Sequence, residues 1–300
     1  MQNFLSKLKQ ISRIKRVRYE HEILTQQNAL MVEYIEQLSL SMLGAQKEKE
    51  NVDVLCSFTS YGERVQVAHI TALSLLTQSV TPQSVILWLD KEEYEEDSLP
   101  EQLKMLVPFG LSIRFCKNLR SYKKLIPTLK CFPDRDIATF DDDIIYPNDH
   151  LERLVNTSRR YPKSVVCHLA HCVTTDRNSQ PKPYEKWRYH IESIQVDEQS
   201  NDNVVPIGLG GVLYPRGSLA EEVIDDELFL EACPNADDLW FKCMALKNKT
   251  STVIVPDTLS YREYIQIPGT QEKTLWQSNI RNNNQQLSNI LRLFPEIRFK

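Results

Sequence analysis

What this 300-residue sequence lacks excludes several classes of protein. No apolar run approaches the roughly 18 residues needed to cross a bilayer, and the N-terminus lacks the apolar core of a signal peptide. The formal net charge of −4 shows no basic excess, which argues against nucleic acid bound through general electrostatics. The seven cysteines include no CxxC pair, so we expect reduced core thiols. These absences predict a cytoplasmic protein that does not bind nucleic acid.

Residues 1–50 form a separate, helical part of the sequence, with no proline and one glycine. The first 18 residues carry six basic side chains and no acidic one, which favours a helix on an anionic membrane surface; a helix packed on its own domain accounts for them as well. Between residues 14 and 42 a heptad register places Asn28 at a core position, where a buried asparagine favours a parallel dimer. We therefore predict an appendage with peripheral membrane contact through residues 1–18 and a homodimer through residues 14–42.

From about residue 51 the pattern changes to short apolar runs that alternate with helical segments. Strands are predicted at 52–56, 85–89, 111–115, 136–140, 165–167 and 211–214, and helices at 63–78, 98–107, 121–132, 148–160 and 237–247. A polar loop is predicted from residue 168 to about residue 203. This order predicts an α/β fold with a mainly parallel sheet and helices on both faces, whose ligands bind beyond the carboxyl ends of the strands.

An acidic triplet, Asp141 to Asp143, follows the predicted strand at residues 136–140. Residues i and i+2 of an extended chain point to one side, so Asp141 and Asp143 are expected to face one ion while Asp142 turns away. Mg²⁺ and Mn²⁺ prefer such carboxylate oxygens, and a bound cation would relieve the repulsion among three adjacent carboxylates. The triplet therefore predicts nucleoside-diphosphate chemistry with Mn²⁺ or Mg²⁺; a solvated acidic turn is the plainer explanation.

Two further clusters resemble ligand sites that we do not expect here. The run of two cysteines and two histidines at residues 167–172 would point its side chains to opposite faces of an extended segment, so the four could not surround one zinc ion. Gly208, Gly210 and Gly211 are not followed by the long helix that a dinucleotide-binding fingerprint requires. Structural zinc and a Rossmann dinucleotide site are therefore not predicted.

Five short motifs occur in order within residues 51–265. They are Ser57-Phe-Thr-Ser-Tyr-Gly-Glu-Arg64, Ser121-Tyr-Lys-Lys-Leu-Ile-Pro127, Phe140-Asp-Asp-Asp143, Gly208-Leu-Gly-Gly-Val-Leu-Tyr-Pro215 and Asn235-Ala-Asp-Asp-Leu-Trp-Phe241. Together they resemble bacterial glycosyltransferases of the GT-A fold, in particular family 2-like enzymes that build surface polysaccharides such as capsule and lipopolysaccharide. The resemblance implies a GT-A type domain at residues 51–270 and a C-terminal lid and helix at residues 271–300.

This resemblance assigns roles to the residues of the first three motifs. The triplet would be the DxD signature, with Asp141 near the ribose or a metal-bound water and Asp143 on the metal. The donor-binding residues implied are Thr59, Tyr61, Arg64, Lys123, Lys124, Asp141, Gly210 and Gly211, and the metal ligands implied are Asp141 and Asp143. Of the paired lysines, Lys123 is preferred to Lys124 as a point charge for the diphosphate, while a solvated face is the plainer explanation.

The last two motifs would supply the sugar pocket and the catalytic base. Gly210 and Gly211 would form a wall of the pocket where the backbone approaches the donor, unless they mark only a strand bend. The family's base lies in an acidic pair, usually Glu-Asp, and this chain has Asp237-Asp238 instead. We expect Asp238 to be the base and Asp237 to bind the acceptor or to be the alternative base; helix capping is the plainer explanation. Residues 261–276 resemble a lid over the donor.

The function predicted is a metal-dependent glycosyltransferase that moves one sugar from a nucleotide-diphosphate sugar to a hydroxyl of a glycan or lipid-linked glycan, with inversion. The Gln-x-x-Arg-Trp signature of processive synthases is absent, which favours transfer of single sugars. Two other functions stay open. One is a sugar nucleotidyltransferase, although no glycine-rich triphosphate loop occurs early in the chain. The other is a non-catalytic coiled-coil or membrane-recruitment protein with a transferase-like domain.

Overall fold

The computed structural model describes residues 30, 32, 33, 35–41, 43, 48–191, 202–270 and 276–300, with side chains of the last helix from residue 282 onward. Its strands are β1 (Asn51–Thr59), β2 (Thr81–Asp90), β3 (Leu111–Cys116), β4 (Asp136–Phe140), β5 (Ile144–Ile145), β6 (Val165–Cys167), β7 (Ala170–Cys172), β8 (Arg188–Ile191), β9 (Val204–Pro206), β10 (Val212–Tyr214), β11 (Thr252–Ile254) and β12 (Ile265–Gln266). Its α-helices after residue 50 are α1 (Ala68–Leu76), α2 (Glu101–Lys104), α3 (Ile126–Cys131), α4 (His150–Arg160), α5 (Asp226–Ala232), α6 (Asp237–Lys247) and α7 (Trp276–Leu293). The predicted membrane-contacting residues 1–18 and most of the heptad register lie outside the described residues.

Seven strands form the central sheet in the order β11-β6-β10-β4-β1-β2-β3. Strand β10 runs antiparallel to both of its neighbours, and the other adjacent pairs are parallel. Helices α1 and α4 pack on one face, whereas α6 and α7 pack on the other. This mixed, mainly parallel sheet between helices confirms the predicted α/β fold class.

The central strands are apolar on both sides because helices cover both faces of the sheet. The apolar side chains of β1 from Val52 to Phe58 are at most 5% exposed. Parallel strands in such a position read as nearly continuous hydrophobic runs. In β4, Ile137 joins the core layer of α6, while Ala138 and Phe140 join the layer of α1 and α4. Strand β4 is therefore buried on both faces up to its last residue, Phe140, and the acidic triplet follows directly at the edge of the sheet.

Residues 168–203, predicted as a polar loop, contain strands β7 and β8 of a second sheet, ordered β8-β7-β9. That prediction was wrong because strands of three or four residues are too short to show a period of two. The predicted helix 121–132 also divides into a 3₁₀ turn, Arg120–Lys124, and helix α3. Pro127 lies in the first turn of α3, where proline is tolerated because the backbone N–H groups there have no partner within the helix.

The described part of the appendage packs on its own domain. Val32 and Ile35 contact an apolar cluster of Ile70, Ile145 and Ile267. These partners belong to α1 and to residues next to or within the β5–β12 pair, which follows the acidic triplet. No helix long and apolar enough to span a membrane is found in the described ranges. The described part of the appendage therefore packs against strand β5, which follows the triplet in sequence, and against the residue after β12.

Replacing Val32 by Ala tests this contact. Val32 is 6% exposed, and losing two buried methyl groups is expected to lower the free energy of unfolding by about 1.5 kcal/mol. Leu38→Ala is the matched control, because Leu38 is 50% exposed on the same helical segment. Urea unfolding of both variants measures the difference, and equal stabilities would contradict the docking.

Candidate active site

The carboxyl edge of the sheet brings the first-strand loop and the acidic triplet together. Strands β1 and β4 are parallel neighbours, and Phe58 pairs with Phe140 at their carboxyl ends. The loop with Ser60 and Arg64 therefore leaves the sheet beside Asp141–Asp143. Ligands of parallel α/β sheets bind at this edge.

Arg64 binds the second and third carboxylates of the triplet. Its Nη1 lies 2.9 Å from Asp142 Oδ1 and its Nη2 lies 3.0 Å from Asp143 Oδ2. Ser60 Oγ donates a 2.5 Å hydrogen bond to Asp142 Oδ2. Burial lowers the pKa of Arg64, because it disfavours the charged guanidinium. The negative charges of Asp142 and Asp143 together have the larger effect, so the pKa of Arg64 is raised overall. Asp142 and Asp143 thus share one guanidinium, whereas Asp141 contacts Lys124. That Asp141 and Asp143 face one ion stays a prediction, and side-chain cations relieve part of the repulsion that we expected a metal to relieve.

Lys124 forms a second centre of positive charge, between the triplet and the acidic pair of α6. Its Nζ lies 2.9 Å from Asp141 Oδ1, 3.0 Å from Asp237 Oδ2 and 3.9 Å from Asp238 Oδ1. Burial disfavours the ammonium, but the three carboxylates outweigh it and raise the pKa of Lys124 well above its usual value. Lys124 is therefore a fixed cation that joins the two acidic motifs.

The two acids of α6 have different surroundings. Asp237 also accepts a 2.8 Å hydrogen bond from Ser121 Oγ, and its side chain is 9% exposed. Asp238 accepts a 3.2 Å hydrogen bond from the backbone N–H of Gly208, and its side chain is 25% exposed. Burial raises the pKa of Asp238 to about 7, against the opposing charge of Lys124. Asp238 is therefore the more exposed acid of the pair and the one whose pKa is raised.

The glycines of the fourth motif have distinct surroundings. A Cβ at Gly210 would lie 2.5 Å from Leu169 Cβ, and one at Gly211, whose φ is +79°, would lie 2.9 Å from Phe140 Cε1. A Cβ at Gly208 would instead lie 2.3 Å from Lys124 Nζ and 3.0 Å from Asp141 Oδ1. Close packing against Leu169 and Phe140 thus explains why residues 210 and 211 are glycines. Their place in a sugar pocket stays a prediction. Gly208 faces the charged cluster, and sequence reasoning did not select it.

The other predicted donor-binding residues lie along the same edge. Thr59 Oγ1 donates a 2.8 Å hydrogen bond to Trp88 O, and Tyr61 is exposed with its ring 5.5 Å from the Arg64 guanidinium carbon. Lys123 is buried near Cys116. Burial raises the pKa of the Cys116 thiol to about 11, although the positive charge of Lys123 acts to lower it. Asp90 ends β2 at this edge as a buried carboxylate that sequence reasoning missed.

The described part of the predicted lid lies against the triplet. Strand β12 pairs with β5, and the N–H of Ile267 donates a 2.8 Å hydrogen bond to Asp143 O. Arg64 Nη2 donates a 2.7 Å hydrogen bond to Thr270 O. Residues 271–275 lie outside the described residues. Residues 261–270 are therefore tied to both the triplet and the first-strand loop.

The cysteines and histidines of residues 167–172 are divided between two sheets. They were expected on one extended segment, but β6 ends at Cys167 and β7 begins at Ala170 in the second sheet. His168 stacks on His150, with ring centroids 3.6 Å apart, and His171 packs on Tyr189. The expectation of one extended segment was therefore wrong, because the chain changes sheets between Cys167 and Ala170.

The buried His150–His168 pair predicts a loss of stability in acid. His150 Nε2 donates a 2.7 Å hydrogen bond to Gly210 O, and burial lowers the pKa of His150 from 6.5 to about 4. The unfolded chain therefore binds more protons between these values, so stability is complete above pH 6.5 and is lost as the pH falls towards 4. We expect His150 to account for about 3 kcal/mol of this loss.

Unfolding by urea between pH 7 and pH 4 measures this dependence. In His150→Gln the amide retains a donor for Gly210 O but does not titrate, so the decline with acid should be shallower than in the wild type. His69→Gln serves as the comparison, because His69 is a partly buried histidine of α1 whose Nε2 lies 3.1 Å from Glu36 Oε1, away from Gly210. Identical slopes for wild type and His150→Gln would contradict the assignment.

The residues present fit a hard divalent cation. Five carboxylates, Asp141, Asp142, Asp143, Asp237 and Asp238, share two cations, Arg64 and Lys124, which leaves three negative charges when all five are ionised. Asp238 Oδ1 is buried and accepts no hydrogen bond from the described residues. Among those residues no group of three or more metal-ligating side chains occurs, and Mg²⁺ usually takes only one or two protein carboxylates. Carboxylate oxygens are the donors that such a cation prefers.

Comparisons with known proteins concern the fold. No family model and no curated protein matches the chain. A 4-diphosphocytidyl-2C-methyl-D-erythritol synthase structure has 9% identity and a TM-score of 0.44, covering 78% of this chain and 99% of its own. A CMP:2-keto-3-deoxy-manno-octonic acid synthetase structure complexed with CTP has 15% identity and a TM-score of 0.38, covering 78% and 100%. S. aureus TarS 1–349 has 14% identity and a TM-score of 0.44, covering 72% and 60%. The likeness concerns strands and helices and assigns no activity to this chain.

Proposed function

We propose that this chain is a metal-dependent glycosyltransferase that moves one sugar from a nucleotide-diphosphate sugar to a hydroxyl of a glycan or lipid-linked glycan, in surface-polysaccharide synthesis. The observation that carries this proposal is the pairing of two acidic motifs at one sheet edge. Lys124 Nζ lies 2.9 Å from Asp141 and 3.9 Å from Asp238, so the candidate metal-binding acid and the candidate base are neighbours.

The donor half of the site is the triplet with the first-strand loop. Asp141 and Asp143 would hold Mn²⁺ or Mg²⁺, which supplies a Lewis acid that neutralises the departing diphosphate. Thr59, Tyr61 and Arg64 would contact base and phosphate from the neighbouring strand. The buried Lys123 adds positive charge near the ends of β2 and β3. The excess of negative charge in the cluster supports the proposal, because a bound cation would reduce the repulsion among the carboxylates.

The acceptor half is the exposed side of Asp238. In the proposed transfer the acceptor oxygen forms a bond to the anomeric carbon while the bond from that carbon to the phosphate oxygen breaks. The electron pair of the broken bond stays on the diphosphate, and the hydroxyl proton moves to Asp238. A single displacement of this kind inverts the anomeric centre. Asp238 suits the proton transfer because its pKa is raised to about 7 and part of its side chain is exposed.

A thermal-shift panel tests the proposal. The full chain is heated with UDP, GDP, CMP, ADP or dTDP, each with Mn²⁺, Mg²⁺ or chelator. Binding at 100 times the dissociation constant stabilises a protein by about 2.7 kcal/mol, so a metal-dependent rise in melting temperature with one diphosphate is expected. A flat panel would overturn the proposal in favour of a non-catalytic protein.

The reaction products distinguish the two kinds of enzyme. A glycosyltransferase releases a nucleoside diphosphate, whereas a sugar nucleotidyltransferase consumes a nucleoside triphosphate and releases pyrophosphate. Membrane contact through residues 1–18 and a homodimer through residues 14–42 are part of the proposal. Deleting residues 1–50 tests both, since unchanged vesicle binding and unchanged oligomer size would remove these roles.

A further inference from the structure

We propose that Lys124 is a positioning residue that holds the base Asp238 in place relative to the donor-binding acid Asp141, and that it does not bind the diphosphate. This inference rests on the proposed function, because it assigns a task within that site. It replaces the role that the sequence suggested for Lys124, a point charge for phosphate.

The hydrogen-bonding capacity of the ammonium supports this role. A lysine ammonium has three N–H donors and no acceptor. Lys124 Nζ is within 3.0 Å of both Asp141 and Asp237, and it lies 3.9 Å from Asp238. Two carboxylates therefore lie within 3.0 Å of the ammonium, the third is farther away, and the Lys124 side chain is only 6% exposed. The low exposure of Lys124 and its two close carboxylates favour a task between the acids over direct contact with a phosphate.

Two hydrogen bonds fix the carboxylates that surround Lys124. Asp237 is fixed by Ser121 Oγ at 2.8 Å, so the Lys124–Asp237 pair has an anchor in the same 3₁₀ turn that carries Lys124. Gly208 lies on the other side, where its N–H donates to Asp238 Oδ2. Asp237 is therefore the anchor of Lys124 rather than the base, which separates the tasks of the acidic pair.

Gly208 provides the space that the arrangement requires. An added Cβ would lie 2.3 Å from Lys124 Nζ, 3.0 Å from Asp141 Oδ1 and 3.4 Å from Asp238 Oδ1. Contacts below 3.0 Å force a neighbour to move, and the ammonium is the end of a flexible side chain. Alanine at this position is therefore expected to displace Lys124 without breaking the backbone, whose φ is not positive.

The experiment separates affinity from turnover in the full chain. Calorimetry measures the affinity for UDP, GDP and dTDP with Mn²⁺, and nucleotide release from UDP-, GDP- and dTDP-sugars measures turnover. A positioning role predicts that Lys124→Met lowers kcat at least 100-fold while affinity for the preferred diphosphate changes less than threefold or rises. It further predicts partial recovery of kcat in Lys124→Arg, because the guanidinium retains the charge.

Two variants keep the test decisive. Gly208→Ala should show the same loss of kcat with retained affinity, and it serves where Lys124→Met does not fold. Lys130→Met is the control, because Lys130 forms a 2.8 Å ion pair with Asp226 away from the site. A tenfold or greater loss of diphosphate affinity with kcat retained would overturn the inference alone. A wild type that binds no diphosphate would overturn the proposed function.

Discussion

Asp238→Asn is expected to lower turnover by about 10²- to 10⁴-fold, the usual contribution of a general base, while metal-dependent diphosphate binding is retained. Asparagine keeps the size of the side chain and its acceptor for the Gly208 N–H, but it cannot take up the acceptor's proton. The wild-type kcat/KM should rise as the pH increases through about 7 and level off above it, because Asp238 must be ionised. This rising limb should be absent from the variant. Nucleotide release measured between pH 5.5 and 9 tests both statements.

Asp237→Asn is the matched comparison for this prediction. Asp237 is held by Ser121 and Lys124, so its loss should disturb the anchor of Lys124. The rising limb should remain but move to lower pH, because the charge of Asp237 helps to raise the pKa of Asp238. If the limb disappeared in Asp237→Asn and persisted in Asp238→Asn, the tasks of the two acids would have to be exchanged.

Asp143→Ala is expected to abolish the metal-dependent thermal shift. In the wild type, a diphosphate with Mn²⁺ at 100 times the dissociation constant should raise the melting temperature by about 5–10 °C. Removing the direct ligand should leave the same melting temperature with Mn²⁺ and with chelator. Arg64 keeps its 2.9 Å pair with Asp142, so the fold of the edge should survive the substitution.

Asp149→Ala controls for the change in net charge. Asp149 is an exposed carboxylate next to helix α4, a few residues after the triplet, and it makes no side-chain cap of that helix. The control should retain the full shift. A metal-dependent shift that persisted in Asp143→Ala would show that the cation binds elsewhere.

Parts of the site could be predicted from sequence because they depend on neighbours along the chain. The strand before the triplet and the helix after residue 236 were predicted with their observed bounds, Asp136–Phe140 and Asp237–Lys247. Their apolar patterns extend over enough residues to be read locally. The three-residue strands β7 and β9 of the second sheet offered no such pattern, and the loop prediction there failed.

The cationic partners of the acids were decided by tertiary structure. Lys124 meets Asp237, and Ser121 meets Asp237, more than 100 positions apart in sequence. The order of strands brings these segments together, and no local periodicity encodes it. The sequence suggested Lys124 and Arg64 as ligands for phosphate, since a positive charge near an acidic motif has no visible partner in a one-dimensional pattern.

The sequence by itself determined an α/β domain with an acidic triplet at the end of a buried strand and a second acidic pair at the start of a helix. Apolar runs specify strands through burial, and adjacent carboxylates are visible as letters. Only the tertiary structure decided that Lys124 joins the two acidic motifs and that Asp237 is enclosed while Asp238 is partly exposed. The physical reason is that burial and ion pairing depend on long-range packing of several segments, which sets the exposure of both acids and raises the pKa of Asp238.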